Sequence, residues 1–323
     1  MAIAAVCLIA WPSALAAETP DGGGGKTAPA RLEFRFDQDA FPAPAAQTGI
    51  FEPRRFSRFA IRLYGGLSRV AAGDVNDGSD GFFELLEVYD ALGLGTAEGG
   101  YSPVHWGANF GADLIYQISP NVGIGVGVGY MRSSKDSEMT LSNETESITL
   151  TATPTLSAMP IRLGVFLTVP VAGAIDLTAD AGAAIYTGLK LDATQRLEFA
   201  ADDWMEMTAS GSRSSFDNLG FHGSLGFEYK VSPKMGLFVE AVGRYAKFKN
   251  FDTVTGTSEY SDGTSDTQEG KLYIVTYTFP DGMYSSFTIE DTPPVDDPPG
   301  EIYREPKIDL SGFSLQAGIR IRF

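Results

Sequence analysis

The chain has 323 residues, with 24 Lys+Arg against 41 Asp+Glu, a net charge of −17, and 43% hydrophobic residues. That apolar content excludes a disordered chain, and the acidic balance argues against nucleic acid, whose phosphates want a basic face. One cysteine excludes a disulfide framework and any multi-thiolate zinc site.

Ala2 to Leu15 is apolar apart from Pro12 and Ser13, and ends in Ala14-Leu15-Ala16, a small-x-small cleavage pattern. Residues 1–16 therefore read as a secretory signal. It lacks a basic n-region, which points to a true start further upstream. Cys7 lies inside this signal, so the mature chain carries no thiol, as suits export through an oxidising compartment. Residues 17–55, rich in Gly, Pro and Ala, read as a flexible periplasmic leader. Gly25-Lys26-Thr27 is not a phosphate loop, because Pro20 stands where that motif needs Gly.

From residue 56 onward period-two alternation dominates, beginning with a weak copy at 58–68. Next comes 69–104, whose Asp74-Val75-Asn76-Asp77-Gly78-Ser79-Asp80 has part of a calcium-loop spacing. Gly78 takes a ligand's place and Ser79 that of the expected Gly, so Asp74, Asn76, Asp77 and Asp80 are a weak metal candidate, and no metal is expected. Phe82, Leu85, Leu86 and Tyr89 follow at helical spacing, with Asp80 as N-cap. Their apolar face is expected to pack on the rim or lie in the lipid interface.

Trp106, Ala108, Phe110, Ala112, Leu114, Tyr116 and Ile118 alternate with His105, Gly107, Asn109, Gly111, Asp113, Ile115 and Gln117. Val122 to Tyr130 alternates with Gly123, Gly125, Gly127 and Gly129, which is no dinucleotide loop because no helix follows. Weaker alternation covers 157–169. Strong copies follow at Ile175–Tyr186 and Leu219–Val231, a weaker one at 235–248, and the last at 312–323. The connections at Ser119-Pro120-Asn121, Pro170 to Ala174 and Ser232-Pro233-Lys234 are short. Those at 69–104, 133–156, 189–216 and 249–308 are long. No run of about 18 uninterrupted apolar residues follows the signal, so helical spans are not expected.

Short turns alternating with long loops predict an all-β, antiparallel up-and-down transmembrane β-barrel of eight strands over 56–323. Both termini lie in the periplasm and the long loops outside. A ten-stranded alternative draws Lys271–Phe279 and Met283–Ile289 into the wall around Pro280-Asp281-Gly282. An external hairpin is preferred, because the second arm alternates poorly. Aromatics gather at two levels: Phe59, Tyr116, Tyr229 and Phe323 at one end, and Trp106, Tyr130, Phe221, Tyr245 and Phe313 at the other.

With apolar residues facing lipid, the interior receives Asp113, Asp176, Asp180, Glu228 and Glu240 together with Arg62, Arg162, Lys230, Arg244, Arg320 and Arg322. Near-balanced charge in an interior this narrow predicts pairing and a plug; a narrow passive channel for small solutes is the alternative.

The last strand, Gly312-Phe313-Ser314-Leu315-Gln316-Ala317-Gly318-Ile319-Arg320-Ile321-Arg322-Phe323, resembles the C-terminal assembly signal of outer-membrane barrels. Phe313, Leu315, Ile319, Ile321 and Phe323 form its apolar face. Together with the Ser-Pro turns, 58–323 is similar to small barrels of the outer-membrane protein A and opacity-protein type. The resemblance implies bacterial outer-membrane localisation and insertion by the outer-membrane assembly machinery, and carries over no catalytic residue. No peptidoglycan-binding domain is expected after the last strand.

A lipid-modifying enzyme is the remaining alternative. His222-Gly223-Ser224 with Glu240 is similar to the barrel lipid A deacylases, whose triad faces lipid; here His222 and Ser224 share the inward parity of Glu228. His105 reads as a lone rim histidine, and no Asp-x-His pair suggests an outer-membrane protease. The expectation is a monomer without cofactor, in contact with outer-membrane lipid and lipopolysaccharide, acting structurally or through acidic external loops whose partner the residues do not name.

Overall fold

The computed structural model describes residues 57–323 other than 145, 200–202, 214–217, 250, 252, 280–281 and 293–300. The expected signal, the leader and residues 280–281 of the hairpin turn lie outside the described residues. The elements are β1 (Phe59–Gly73), α1 (Asp74–Ala91), β2 (Thr96–Gly100), β3 (Trp106–Gln117), β4 (Val122–Ser134), β5 (Ser137–Ser142), β6 (Ser147–Ala172) and β7 (Ile175–Phe199). They continue with β8 (Trp204–Arg213), β9 (Leu219–Lys230), β10 (Met235–Tyr245), β11 (Lys247–Lys249), β12 (Thr253–Tyr260), β13 (Ser265–Phe279), β14 (Gly282–Glu290), β15 (Glu301–Arg304) and β16 (Lys307–Arg322).

The alternating segments pair antiparallel with their chain neighbours: β1 with β3, β3 with β4, β4 with β6, β6 with β7, β7 with β9, and β9 with β10. β10 then pairs β16, and β16 returns to β1. A cycle of pairs leaves no edge, so each strand's backbone groups have partners on both sides. Its outer face is apolar: Leu163 is 66% exposed, while Arg62 at 2% lies inside. Among the described residues the β13–β14 hairpin pairs with β12 and β15 and with none of the strands in the cycle.

The four long connections differ from simple loops: within the described residues they are mostly strand and helix. β6 and β7 run 26 and 25 residues, about 85 Å at about 3.3 Å per residue. They therefore continue well past the ring. There β5 and β2 add to one side of the pair, and β8, β12, β13 and β14 to the other. In this upper storey the apolar side turns inward. On β6, Leu150, Ala152, Leu156 and Ala158 are buried, with Thr149, Thr151 and Thr153 on the opposite face.

On β7 the parity itself resets. Ala184 and Tyr186 are buried, then Leu189 and Leu191. The extra residue is absorbed at Gly188, whose φ of 56° suits glycine, beside a register shift at Ser157/Met159. The resulting apolar layer, with Val70, Met131, Phe248, Ile308 and Leu310, sits over the ring.

α1 corrects the expected N-cap. It begins at Asp74 after Gly73, so Asp80 lies inside the helix and is not its N-cap. The calcium-loop candidate is therefore helical, which does not wrap a cation. Asp74 pairs with Arg304 and accepts from the Lys307 N–H at 2.6 Å. Asn76 Oδ1 accepts from Val104 N–H at 2.8 Å and from the Tyr101 hydroxyl at 3.1 Å. Among the described residues no acid or histidine group is arranged to hold a metal.

Gly78 and Gly81 read as loop residues, since each costs about 1 kcal/mol inside a helix. A Cβ at 78 would strike the Phe287 ring, and one at 81 the Ser285 carbonyl, so their absence lets α1 lie directly on β14. On its other side Phe83 and Leu86 pack with Met139, Leu141 and Leu150 of β5 and β6. α1 is thus held between the two arms of the upper sheet.

Candidate functional site

The ring interior holds all eleven charged residues that the alternation assigns to it, on strands whose opposite faces are apolar. The register places Arg62 level with Asp113 on one neighbour and Arg320 on the other. The Arg62 guanidinium contacts the Glu240 carboxylate, and lies 3.7 Å from Asp113 Oδ2 and 3.6 Å from Asp180 Oδ2. It also stacks over Phe238, 4.2 Å from the ring centre, and over Phe166 at 5.5 Å. One cation thus faces three carboxylates, and aromatic rings exclude water beside it.

Around this centre further pairs extend the network, although Arg62 Nε, Arg162 Nε and Asp113 Oδ2 make no hydrogen bond among the described residues. Arg162 donates to Asp113 Oδ1 at 2.6 Å and lies over Tyr64. Gln316 donates to Glu240 Oε1 at 2.5 Å and accepts from Asn109 at 2.8 Å. Toward the short-turn end, Arg320 reaches Glu228 Oε2 at 2.7 Å, Arg322 pairs with the same carboxylate, and Lys230 reaches Asp176 at 2.6 Å.

At the opposite end Arg244 meets, among the described residues, only neutral acceptors: Leu310 O at 2.8 Å, Ser314 Oγ at 2.6 Å, and Ser68 Oγ and Arg69 O at 2.7 Å. The surplus positive charge of the interior therefore sits just under the apolar layer. Between the two lies a cavity of about 40 Å³ walled by Tyr64, Arg162, His222 and Arg244, room for little more than water.

Sequence reasoning did not single out the neutral members of this network: Asn109, Gln316, Ser68, Ser314 and Thr168, whose hydroxyl accepts from Arg320 at 3.3 Å. The signal was present, since each shares the inward parity of its strand. The apolar face of β16 points outward, with Phe313 edge-on to Trp106.

His222 and Ser224 do point inward. The Ser224 hydroxyl donates to Asp180 and, at 3.4 Å, to Glu240, while His222 Nε2 lies 3.6 Å from the other Asp180 oxygen. The carboxylate stands between hydroxyl and imidazole, an order unlike the nucleophile–base–acid order of hydrolytic triads. Glu240 pairs with Gly226 in register. His105 Nδ1 lies 3.1 Å from the Val70 carbonyl oxygen.

Compared with known proteins, residues 3–267 match a family model described as outer membrane protein beta-barrel domain. No curated protein sequence matches the chain. Among solved structures, a major outer membrane protein from Thermus thermophilus aligns at 11% identity over 82% of this chain and 99% of that one, with a TM-score of 0.33. The outer membrane protease OmpT from Escherichia coli aligns at 10% identity over 84% of this chain and 99% of that one, with a TM-score of 0.31.

Proposed function

The chain belongs to the outer membrane protein beta-barrel domain family, and from that premise we propose that it is a plugged, non-enzymatic anchor for a surface-interaction module. The eight-stranded ring crosses the bacterial outer membrane with both termini in the periplasm. β16 presents its outward face to the assembly machinery, and the ring then stands as a monomer in lipid and lipopolysaccharide. The upper storey, whose segments carry more acids than bases, meets the external medium.

The observation that carries this reading is Arg62 held by three carboxylates at the centre of the ring. A conducting interior keeps its charged groups hydrated and favours one sign, whereas these groups pair with one another beneath an apolar layer. The Ser224–Asp180–His222 order supports a non-catalytic role, because the hydroxyl has no imidazole to take its proton.

Single-channel conductance of the refolded chain in a planar bilayer tests the plug. A folded but silent ring is the expected result; steady conductance overturns it in favour of a narrow solute channel. The lipid A profile of cells expressing Ser224→Ala is expected to match that of cells expressing the parent chain. A difference would restore the enzyme reading.

A further inference from the structure

The upper sheet contains a cavity of about 250 Å³ that the plug does not involve. Its floor comes from register. Ala193 of β7 pairs Ala209 of β8, and Ala209 pairs Gly256 of β12. Three small side chains in one cross-strand row leave a trough. The adjoining rows carry larger side chains: Leu191 and Val254, on either side of Gly211, below, and Gln195 and Met207 above. α1 and β14 close the far side with Phe82 and Phe287.

We propose that this trough is a binding site for one ring of a neutral sugar. The lining excludes other chemistries. It contains no Lys, Arg or His, so a phosphate or carboxylate would find no counter-charge. Asp266 is its one charged member, and is exposed. Its neutral polar members are the amides of Gln195 and Gln268 and several hydroxyl residues, Ser258 and Thr288 among them.

The Gln195 amide is steadied by donating to Ser79 O at 3.2 Å, and that of Gln268 by donating to Ile289 O at 2.6 Å. Each side-chain carbonyl keeps acceptor capacity for a sugar hydroxyl. Phe82 and Phe287 give the apolar C–H face of a pyranose something to lie against, and a purely aliphatic ligand would offer those two carbonyl oxygens no donor.

The proposal rests on the reading of the upper storey as facing the medium. Binding in detergent micelles, however, does not depend on orientation, so the two fail separately: protease accessibility on intact cells tests the orientation, and a micelle assay tests the site. The probes are methyl glycosides of glucose, galactose and N-acetylglucosamine, with glucuronate and octanoate as controls, read by saturation-transfer NMR on the refolded full chain. At least one neutral glycoside is expected to bind, and glucuronate and octanoate to give no signal.

Ala209→Phe, which fills the floor, is expected to abolish the signal, and Gln195→Ala to weaken it about tenfold. Both variants are first checked for the parent's circular dichroism and heat-modifiable migration; Gln195→Ala carries the test if Ala209→Phe misfolds. No glycoside binding at about 10 mM, equal binding by both variants, or preference for octanoate would overturn the site. A further arm sets lipopolysaccharide core oligosaccharide against the free glycosides, to separate a sugar of the cell's own envelope from one in the medium.

Discussion

On β6, Leu163 points outward with Arg162 turned in, whereas earlier on the same strand Thr151 points outward and Leu150 is fully buried. The strand is continuous, yet its two halves answer to different solvents. Around the ring, lipid receives apolar side chains as readily as a protein core does, so nothing is gained by hiding them. The interior must instead accommodate the charged groups left inside, which it does by pairing them in the Arg62 and Glu228 clusters. In the upper storey water surrounds the sheet, and burying Leu150, Leu156, Leu189 and Ile308 supplies the driving force at about 25 cal/mol per Å². The ring is thus held by closure and paired charge, the upper storey by an apolar core, and the transition falls at the Ser157/Met159 register shift opposite Gly188.

The sharpest way to break that contrast is Arg62→Ala, which leaves three carboxylates sharing a buried space. The expected loss is about 3–5 kcal/mol, seen as a lower urea midpoint for the heat-modifiable form; an unchanged midpoint would mean the network does not hold the ring. Leu189→Ala should cost the upper storey about 2–5 kcal/mol through a cavity, read as faster proteolysis of the upper strands while the ring keeps its migration on an unboiled gel.

A matched pair then compares the two outer faces on one strand. Leu163→Arg, at ring level, should destabilise by about 2–4 kcal/mol in a bilayer. Thr149→Arg, outward on the upper storey, should stay within about 1 kcal/mol. Equal costs would mean that the two faces see the same solvent.

The smallest effect concerns pH. Asp80 on α1 is pushed up to about 6, by burial first and then by Glu84, Glu87 and Asp77; Asp77 and Glu84 are themselves raised, mainly by burial. A carboxyl that binds its proton more tightly when folded favours folding at low pH and loses that contribution as pH rises from about 4 through 6. α1 is therefore expected to resist proteolysis better at pH 5 than at pH 7, and Asp80→Asn to flatten the difference. A flat profile in the parent chain would show that the Asp80 carboxyl is not held this way.

Much of the ring interior was legible because a strand's period of two is rigid. Once Leu163 and Leu225 face out, Arg162 and Ser224 must face in, and no tertiary knowledge is needed. The same rule hid the upper storey. Its strands alternate too, but with apolar residues inside, and on β7 the bulge at Gly188 breaks the phase, so 133–156 and 189–216 scored as loops. α1 was half legible: Phe82 to Tyr89 shows the helical period, while Gly78 and Gly81 mimic a turn until β14 is laid against them.

The sequence by itself determined which residues face lipid and which face inward in the ring, since backbone geometry ties that to position alone. Only the tertiary structure decided which charges meet, because Arg62, Asp113, Asp180 and Glu240 come from four strands whose relative register depends on the closure of the whole sheet. The trough beneath α1 was decided in the same way, since Ala193, Ala209 and Gly256 become one floor only when β7, β8 and β12 lie side by side.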